Sequence, residues 1–345
     1  MYRHYFKKNL SYIGFGGHGY QVRDILHIND VCEIILRQIK KINPDLIIYP
    51  THIYEPESVT LCKASKFLKK KILFLIDNWD NISSKTIFLI KPDAVAVWGN
   101  QARKAALNLQ SMENGKVHHL GNPKFAKYFS LRKKKFKSPY PFPYVLFLGV
   151  LLDYDEMKPL KILDDEIEKN KTKYKNLKII YRPHPGAEHM IEKTKKFDFK
   201  NIIADKQMES FLLKKKKYSL NNNHYFEKLI KNSLFMTGGL TTVVLESVIF
   251  SKRFLFLAHD EENNVFSPKM EYENHAHYDE ILNLSLLKRC KSLKNFNKDF
   301  KNTYDLSFKK VNQVQNDKEI SYFYDITKKN YAVELNNIST KVINS

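Results

Sequence analysis

Short apolar runs alternate with segments of helical periodicity along the first 120 residues. The predicted strands lie at residues 46–49, 72–76, 94–98 and 117–120. The predicted helices lie at residues 29–41, 55–69 and 100–110, where apolar side chains recur every three or four positions. Strands that alternate with helices favour a parallel sheet covered on both faces.

The same rhythm starts again in the second half of the chain. The predicted strands there lie at residues 144–150, 177–181, 234–236 and 254–258, and the predicted helices at 154–170, 224–232, 241–250 and 280–290. Between the halves, residues 131–143 are basic and rich in proline, which predicts a linker. We therefore predict an α/β fold with two Rossmann-like parallel-sheet domains that face a cleft. The predicted division is a domain at 1–130, the linker at 131–143, a domain at 144–300 and an extension at 301–345.

A rigid polar loop follows the predicted strand at residues 177–181. It reads Arg182-Pro183-His184-Pro185, so prolines restrict the backbone on both sides of the imidazole. Arg182 offers a planar fork of donors that suits phosphate or carboxylate. Because ligands of open α/β sheets bind beyond the carboxyl ends of strands, Arg182, His184 and Pro185 are candidate phosphate-binding residues.

A glycine turn follows the next predicted strand. Gly238 and Gly239 allow a ligand to approach the backbone closely. Thr241 and Thr242 lie where a helix is predicted to begin, and their hydroxyls and the N–H groups of the first turn suit an anion. Glu246 lies one helical turn further on, within reach of ribose hydroxyls. The alternative is an ordinary glycine turn with a helix cap, which packing alone explains.

The charge of the chain is strongly positive, with 58 Lys and Arg against 37 Asp and Glu and a formal net charge of +21. The lysine runs at residues 69–71, 133–135 and 214–217 are not accompanied by arginine-rich or RNA-type aromatic motifs. Solvated surface is the first interpretation, contact with an anionic membrane the second and nucleic acid the third. We expect no nucleic-acid partner.

The cysteines and the apolar runs indicate the compartment. Cys32, Cys62 and Cys290 are far apart, which favours reduced, buried thiols over a disulfide framework or a metal motif. No apolar run has the length of a membrane span, and the N-terminus lacks the apolar core of a signal peptide. We expect a cytoplasmic protein. Peripheral contact with the inner face of the cytoplasmic membrane is a further expectation.

A polar loop at residues 77–85 follows a predicted buried strand. Its composition is too polar for a core, so its side chains are expected to face the cleft and to meet a substrate. The candidate substrate residues are Asn78, Asn81, Ser83, Ser84 and Lys85. The alternative is a set of turn residues and helix caps without a ligand role.

Several segments resemble bacterial surface-polysaccharide biosynthesis proteins of the GT-B glycosyltransferase type. In the first half these are Asn-Trp-Asp-Asn-Ile-Ser-Ser-Lys at 78–85, Lys-Pro-Asp at 91–93, Val-Trp-Gly at 97–99 and Leu-Gly-Asn-Pro-Lys-Phe at 120–125. In the second half, the Arg-Pro-His-Pro segment and the Gly-Gly-x-Thr-Thr-x-x-x-Glu segment are similar to motifs of capsule sialyl- and Kdo-transferases and of glycerophosphate polymerases. The resemblance covers roughly residues 72–260.

The resemblance implies a glycosyltransferase whose C-terminal half holds the nucleotide of an activated sugar. The acceptor would be a surface polysaccharide or a lipid-linked glycan, and the nucleotide sugar would be a substrate, with no cofactor. Thr241 and Thr242 stand where those families tend to have serines. The acidic motif that carries the general base of those families is not found, so the resemblance does not assign a base here.

The acceptor base is expected in the N-terminal half. His18, in a glycine loop, is the first candidate because a histidine near neutral pKa suits proton removal from a hydroxyl. Asp80 and Asp77 follow, and His18 has the alternative of a turn residue without a role. No metal site is predicted: Asp153 and Asp155 are interpreted as helix-capping acids.

Other functions remain open at this stage. A nucleotide-sugar epimerase or a glycerophosphotransferase of the same fold would use the same loops. A non-catalytic nucleotide-binding assembly subunit would keep the loops without the chemistry.

Overall fold

The computed structural model describes residues 11–12, 24–25, 28–51, 57–151, 155–187, 189–213, 224–260, 267–275, 277–328 and 330–345. The contacts divide the chain into two compact units. Unit 1 comprises residues 1–120 and 330–345, and unit 2 comprises residues 121–329. The chain therefore passes from one unit to the other twice.

Unit 1 contains a four-stranded parallel sheet in the order β3-β4-β5-β6. Its strands are β3 (Leu46–Thr51), β4 (Lys71–Ile76), β5 (Ala94–Val97) and β6 (Val117–His119), and its first helices are α1 (Ile28–Ile42), α2 (Glu57–Phe67) and α3 (Asn100–Asn108). A separate pair of two-residue strands, β1 (Ser11–Tyr12) and β2 (Asp24–Ile25), is antiparallel. β5 is buried at every position, as expected for a strand covered on both faces.

The last helix of the chain, α14 (Tyr331–Ile343), belongs to unit 1 and covers one face of its sheet. Ile338 and Val342 pack against Leu73 of β4 and Ala96 of β5. The opposite face carries the larger core of the unit, formed by Phe74 and its neighbours with side chains of α2 and α3. The sheet is thus a middle layer between helices.

Unit 2 contains a six-stranded, fully parallel sheet in the order β12-β11-β10-β7-β8-β9. Its strands are β7 (Tyr144–Leu148), β8 (Lys178–Arg182), β9 (Ile202–Ala204), β10 (Met236–Gly238), β11 (Phe254–Leu257) and β12 (Leu287–Cys290). Its helices are α4 (Pro123–Leu131), α5 (Met157–Lys169), α6 (His189–Lys195), α7 (Lys206–Leu213), α8 (Tyr225–Asn232), α9 (Val243–Ile249), α10 (Pro268–Asn274), α11 (His277–Ile281), α12 (Phe296–Ser307) and α13 (Gln313–Ile320). The predicted fold class, two parallel-sheet α/β domains, is confirmed.

The structure corrects one predicted element. The helix predicted at residues 280–290 is wrong, because only α11 is helical and Leu287–Cys290 forms the edge strand β12, paired in parallel with β11. Pairing with a fully buried neighbour overrides the local helical pattern.

The domain boundaries also differ from the predicted ones. The predicted linker at 131–143 lies within unit 2, where Arg132 donates two hydrogen bonds to Asp317 and the Tyr140 ring is buried. The passage between units lies instead at residues 120 and 121. The predicted extension at 301–345 is divided, since α13 belongs to unit 2 and α14 to unit 1.

No helix among the described segments is long and apolar enough to span a membrane.

Candidate functional site

The sheet of unit 2 reverses its direction of growth at β7. The chain adds β8 and β9 on one side of β7, and it then returns to add β10, β11 and β12 on the other side. The loops after β7 and β10 therefore leave the sheet on opposite faces. Such a switch point opens a crevice at the carboxyl ends of the strands, and this is where open α/β sheets bind ligands.

Gly238 ends β10 at this crevice and packs against the neighbouring strand. Its φ is +131°, and a Cβ built there would lie 2.1 Å from the carbonyl oxygen of Leu148 in β7. The Gly239 N–H donates to the same carbonyl oxygen over 3.2 Å. Sheet packing therefore requires the glycine at 238, and a role for Gly238 and Gly239 in nucleotide binding stays a prediction.

His184 follows β8 at the same edge of the sheet. Its Nδ1 accepts a hydrogen bond from the Gly186 N–H over 3.0 Å, while Pro185 beside it is exposed. Desolvation lowers the pKa of His184 below its ordinary value, which favours the neutral ring at pH 7. Because Nδ1 is an acceptor, the neutral ring carries its proton on Nε2. His184 thus presents an oriented N–H donor of the kind that suits a phosphate oxygen.

Arg182 has a structural explanation that the sequence did not show. Its guanidinium donates to Asp205 over 2.7 Å and to Gln207 over 3.1 Å, and it stacks 4.7 Å from the centre of the Phe226 ring. Asp205 is completely buried, so this ion pair satisfies a charge that would otherwise be costly. The guanidinium donors of Arg182 bond to Asp205 and Gln207 of the same unit. Its predicted phosphate-binding role stays a prediction.

The start of α9 holds the two predicted threonines. Thr241 Oγ1 accepts from the Val243 N–H over 3.1 Å, so its hydroxyl caps the helix, and Thr242 is half-buried. This is the ordinary cap that sequence analysis kept as the alternative. A ligand role for either threonine stays a prediction.

Glu246 lies one turn into α9 and is buried. Its Oε1 accepts from Lys124 Nζ over 2.6 Å, and Lys124 lies on α4, 122 positions earlier in the chain. Burial and the carboxylates of Glu246 and Glu227 raise the pKa of Tyr128 above its ordinary value. Lys124 is half-exposed, and its ammonium group balances the charge of the buried Glu246 carboxylate. Sequence analysis did not assign Lys124 to the site, because only the resemblance of residues 120–125 includes it.

Glu156 is the second residue that sequence analysis missed. It lies directly before α5, and it accepts hydrogen bonds from the Val150 N–H over 2.7 Å and from the Tyr181 hydroxyl. A Cβ built on Gly149 would lie 2.7 Å from Glu156 Oε2 and 3.0 Å from the Pro183 Cα. Burial raises the pKa of Glu156 to about 7, although the two hydrogen bonds oppose the shift. A buried carboxyl group thus joins the loop after β7 to strand β8.

The polar loop of unit 1 is partly buried. Residues Asn81–Lys85 form one π-helical turn, in which Asp80 and Asn81 are buried and Lys85 pairs with Asp80 over 2.6 Å. Asn81 donates to Asp77, and the Ser83 hydroxyl donates to the Asp80 carbonyl. Asp80 and Asn81 are the two polar side chains of the loop that depart from the expectation of a loop too polar for a core, since both are buried.

The predicted residues of unit 1 are therefore mostly parts of this turn. Asn78 and Ser83 are half-buried, and Ser84 is exposed. Asp80, proposed as a base, is held in an ion pair inside the turn. Their substrate roles stay predictions, and His18 lies outside the described residues.

The structure thus brings one group of predicted residues to the switch point of unit 2: His184, Pro185, Gly238, Gly239, Thr241, Thr242 and Glu246. The residues predicted from the polar loop lie in unit 1. In the described part of the chain, no group of three or more His, Cys, Asp and Glu side chains is arranged to hold a metal ion.

The chain matches no family model, and no curated protein matches it in sequence. Solved structures match it over most of its length. A Listeria monocytogenes protein assigned as a UDP-N-acetylglucosamine 2-epimerase superposes with a TM-score of 0.55 and 12% identity, over 92% of this chain and 80% of that one. The Neisseria meningitidis UDP-GlcNAc 2-epimerase bound to UDP-GlcNAc gives 0.52 and 11%, over 92% and 81%. Acinetobacter baumannii MurG gives 0.50 and 9%, over 92% and 82%.

At these identities the similarity establishes the fold alone. The chain has a GT-B-type fold, with two parallel-sheet α/β domains of four and six main strands.

Proposed function

We propose that the chain is a GT-B-type glycosyltransferase that moves a sugar from a nucleotide-activated donor to a surface polysaccharide or a lipid-linked glycan. The observation that carries the proposal is the switch point of unit 2. The glycine turn after β10 lies there, and His184 follows β8 at the same carboxyl edge of the sheet, with its Nδ1 occupied by the Gly186 N–H. The GT-B-type fold supports it, because the solved structures of this fold include proteins bound to UDP-GlcNAc.

In this proposal the nucleotide binds in unit 2. The Nε2–H of His184 donates to a phosphate oxygen of the donor, and Lys124 holds the Glu246 carboxylate in place beside the start of α9. When the bond between the sugar carbon and the phosphate oxygen breaks, negative charge develops on the nucleotide. Fixed donors that stabilise such charge give one of the largest catalytic contributions.

The oxygen of the acceptor hydroxyl forms the new bond to the sugar carbon, and the hydroxyl proton passes to a base. We place that base in unit 1, where His18 and Asp80 are the candidates. The nucleotide sugar is a substrate in this scheme, which invokes neither a cofactor nor a metal. Activity in the cytoplasm, at the inner face of the membrane, belongs to the same proposal.

A nucleotide-sugar epimerase is the second candidate. It is favoured by the fold similarity to two proteins whose names include UDP-GlcNAc 2-epimerase activity. A glycerophosphotransferase would use the same crevice to hold a nucleotide-activated alditol phosphate.

Product analysis separates these candidates. The chain is incubated with UDP-GlcNAc and with CMP-activated sugars, with and without a glycan acceptor, and nucleotide release and sugar configuration are followed by chromatography. A transferase releases nucleotide in proportion to acceptor, whereas an epimerase changes the sugar without one. The matched variants are His184→Ala and His189→Ala, since His189 is an exposed histidine five residues further on. Release that is unchanged in His184→Ala would contradict the proposed site.

A further inference from the structure

Residues 85–91 of unit 1, Lys-Thr-Ile-Phe-Leu-Ile-Lys, cross the surface between β4 and β5 in an alternating pattern. Phe88 and Ile90 pack against the core, and the Phe88 ring meets Phe74 edge-on at 5.8 Å. Ile87 and Leu89 point outwards and are 74% and 77% exposed. Two neighbouring aliphatic side chains of unit 1 are therefore presented to solvent together.

The segment cannot turn these side chains inwards, because a glutamine holds its backbone. Gln110 Nε2 donates to the carbonyl oxygens of Ile82 and Thr86 over 2.7 and 2.8 Å, and Gln110 Oε1 accepts from the Phe88 N–H over 2.9 Å. The amide thus fixes three backbone groups around residues 82–88. The exposure of Ile87 and Leu89 is built into the fold of unit 1.

The surroundings of this segment are basic and partly apolar. Lys85 and Lys91 bracket it, and no acidic residue lies between them. Lys85 pairs with Asp80, while Lys91 is exposed and donates one hydrogen bond to the Ser111 carbonyl oxygen over 2.6 Å. Helix α2 lies beside it, since Ser58 and Val59 share a groove with residues 86–90. Helix α2 carries four exposed side chains: Glu57, Lys63, Lys66 and Phe67.

The acidic groups near the segment are few and mostly paired. Asp80 is neutralised by Lys85, and Glu113 pairs with Lys116 over 2.7 Å. Asp93 accepts from the Ile72 N–H over 2.9 Å. The exposed Glu57 lies in the first turn of α2. Lysines with exposed aliphatic side chains between them form a surface that complements anionic headgroups above an apolar layer.

We infer that residues 85–91 dock unit 1 on an anionic lipid bilayer. Ile87 and Leu89 enter the boundary between headgroups and acyl chains, while Lys91 and the α2 lysines Lys63 and Lys66 contact the phosphates. The net charge of +21 attracts the whole chain to such a surface, and this segment sets which part of the chain makes contact. The inference locates the membrane contact of the proposed function, but its test needs no nucleotide or acceptor.

Vesicle flotation tests the inference. The chain is mixed with vesicles of phosphatidylcholine alone or with phosphatidylglycerol added. We expect binding only to the anionic vesicles, and roughly tenfold weaker partition for the double variant Ile87→Ser, Leu89→Ser, because it removes the apolar part of the contact. The matched control is Val314→Ser, since Val314 is 81% exposed on α13 of unit 2. Equal partition of the double variant and the wild type would overturn the inference, as would wild-type binding that is absent or indifferent to lipid charge.

A fluorescence probe gives an independent readout. The native Trp79 and Trp98 are buried and give a constant background. In Leu89→Trp, the added indole is expected to shift its emission to the blue with anionic vesicles and to be quenched by brominated acyl chains. Val314→Trp is expected to do neither. A blue shift that depends on protein concentration in the absence of vesicles would indicate a second copy of the chain on this surface, and would overturn the inference.

Discussion

Glu156 is a residue whose protonation couples the candidate site to pH. Its pKa rises from 4.5 to about 7 on folding, because the carboxyl group is buried beneath the loop after β7. The native state therefore holds a proton that the unfolded chain releases between these two pH values. Retention of this proton increases the free energy of unfolding. The increase is fully present below pH 4.5 and is lost as the pH rises through 7.

The variant Glu156→Gln tests this coupling, since glutamine keeps the shape and cannot ionise. We expect the free energy of unfolding of the wild type, relative to that of the variant, to fall by about 3 kcal/mol as the pH rises from 4.5 to 7.5. Urea unfolding at several pH values measures it. The exposed Glu192→Gln on α6 is the control. Parallel pH profiles for wild type and Glu156→Gln would show that this carboxyl group does not retain its proton.

Gly238 packs too closely against β7 to accept a side chain. Gly238→Ala places a methyl group against the Leu148 carbonyl at a φ of +131°, so it combines overlap with backbone strain. We expect a loss of about 3 kcal/mol or more in the free energy of unfolding. Gly115→Ala, where a Cβ meets nothing within 4 Å, is expected to change it by less than about 1 kcal/mol. Similar losses in chemical denaturation for both variants would contradict the packing argument.

The residue scale also shows where sequence reasoning ends. The imidazole between two prolines made His184 a candidate, because that signal is carried by adjacent positions. The partner of Arg182 is Asp205, and the partner of Glu246 is Lys124, so both ion pairs join positions far apart in the chain. No local pattern predicts such pairs, which depend on strand order.

Among the elements, α14 is the one that joins the end of the chain to the first sheet. Ile338 fills the face of that sheet formed by Leu73, Ala94 and Ala96. We expect Ile338→Ala to lower the free energy of unfolding by about 2–4 kcal/mol, because it leaves a cavity in a packed layer. Ile343→Ala removes an exposed side chain from the same helix and is expected to cost less than about 1 kcal/mol. Thermal unfolding of the two variants measures the difference, and equal midpoints would contradict the assignment of α14 to unit 1.

Element prediction succeeded where strands are buried on both sides. The runs at β5, β7 and β11 are apolar at nearly every position and were found within two residues of their ends. The edge strand β12 reads Leu-Lys-Arg-Cys and is only partly buried, so its sequence does not have the apolar run of a central strand. Sequence analysis did not predict the π-helical turn at Asn81–Lys85, because it lacks an apolar periodicity and its contacts, such as Asn81 with Asp77, form only in the folded loop.

For the whole molecule, the sequence indicated two parallel-sheet halves but not the strand order. The order of unit 2, with β7 at its centre, follows from where the chain returns after β9. That return creates the switch point, and His184 and the glycine turn follow strands on either side of β7 at the same edge of the sheet. The predicted boundary between the units was the basic stretch at 131–143, whereas the contacts place it between residues 120 and 121. Arg132 and Tyr140 pack within unit 2.

The central claim is that the crevice of unit 2 binds a nucleotide through His184. Isothermal titration with CMP, CDP, UMP, UDP and GDP tests it most directly. We expect one of these nucleotides to bind the wild type and His189→Ala equally. We expect His184→Ala to bind about tenfold more weakly or worse, because a hydrogen bond to a charged group contributes about 1.5–3 kcal/mol. If no nucleotide binds, or if His184→Ala binds as the wild type does, the crevice is not the nucleotide site.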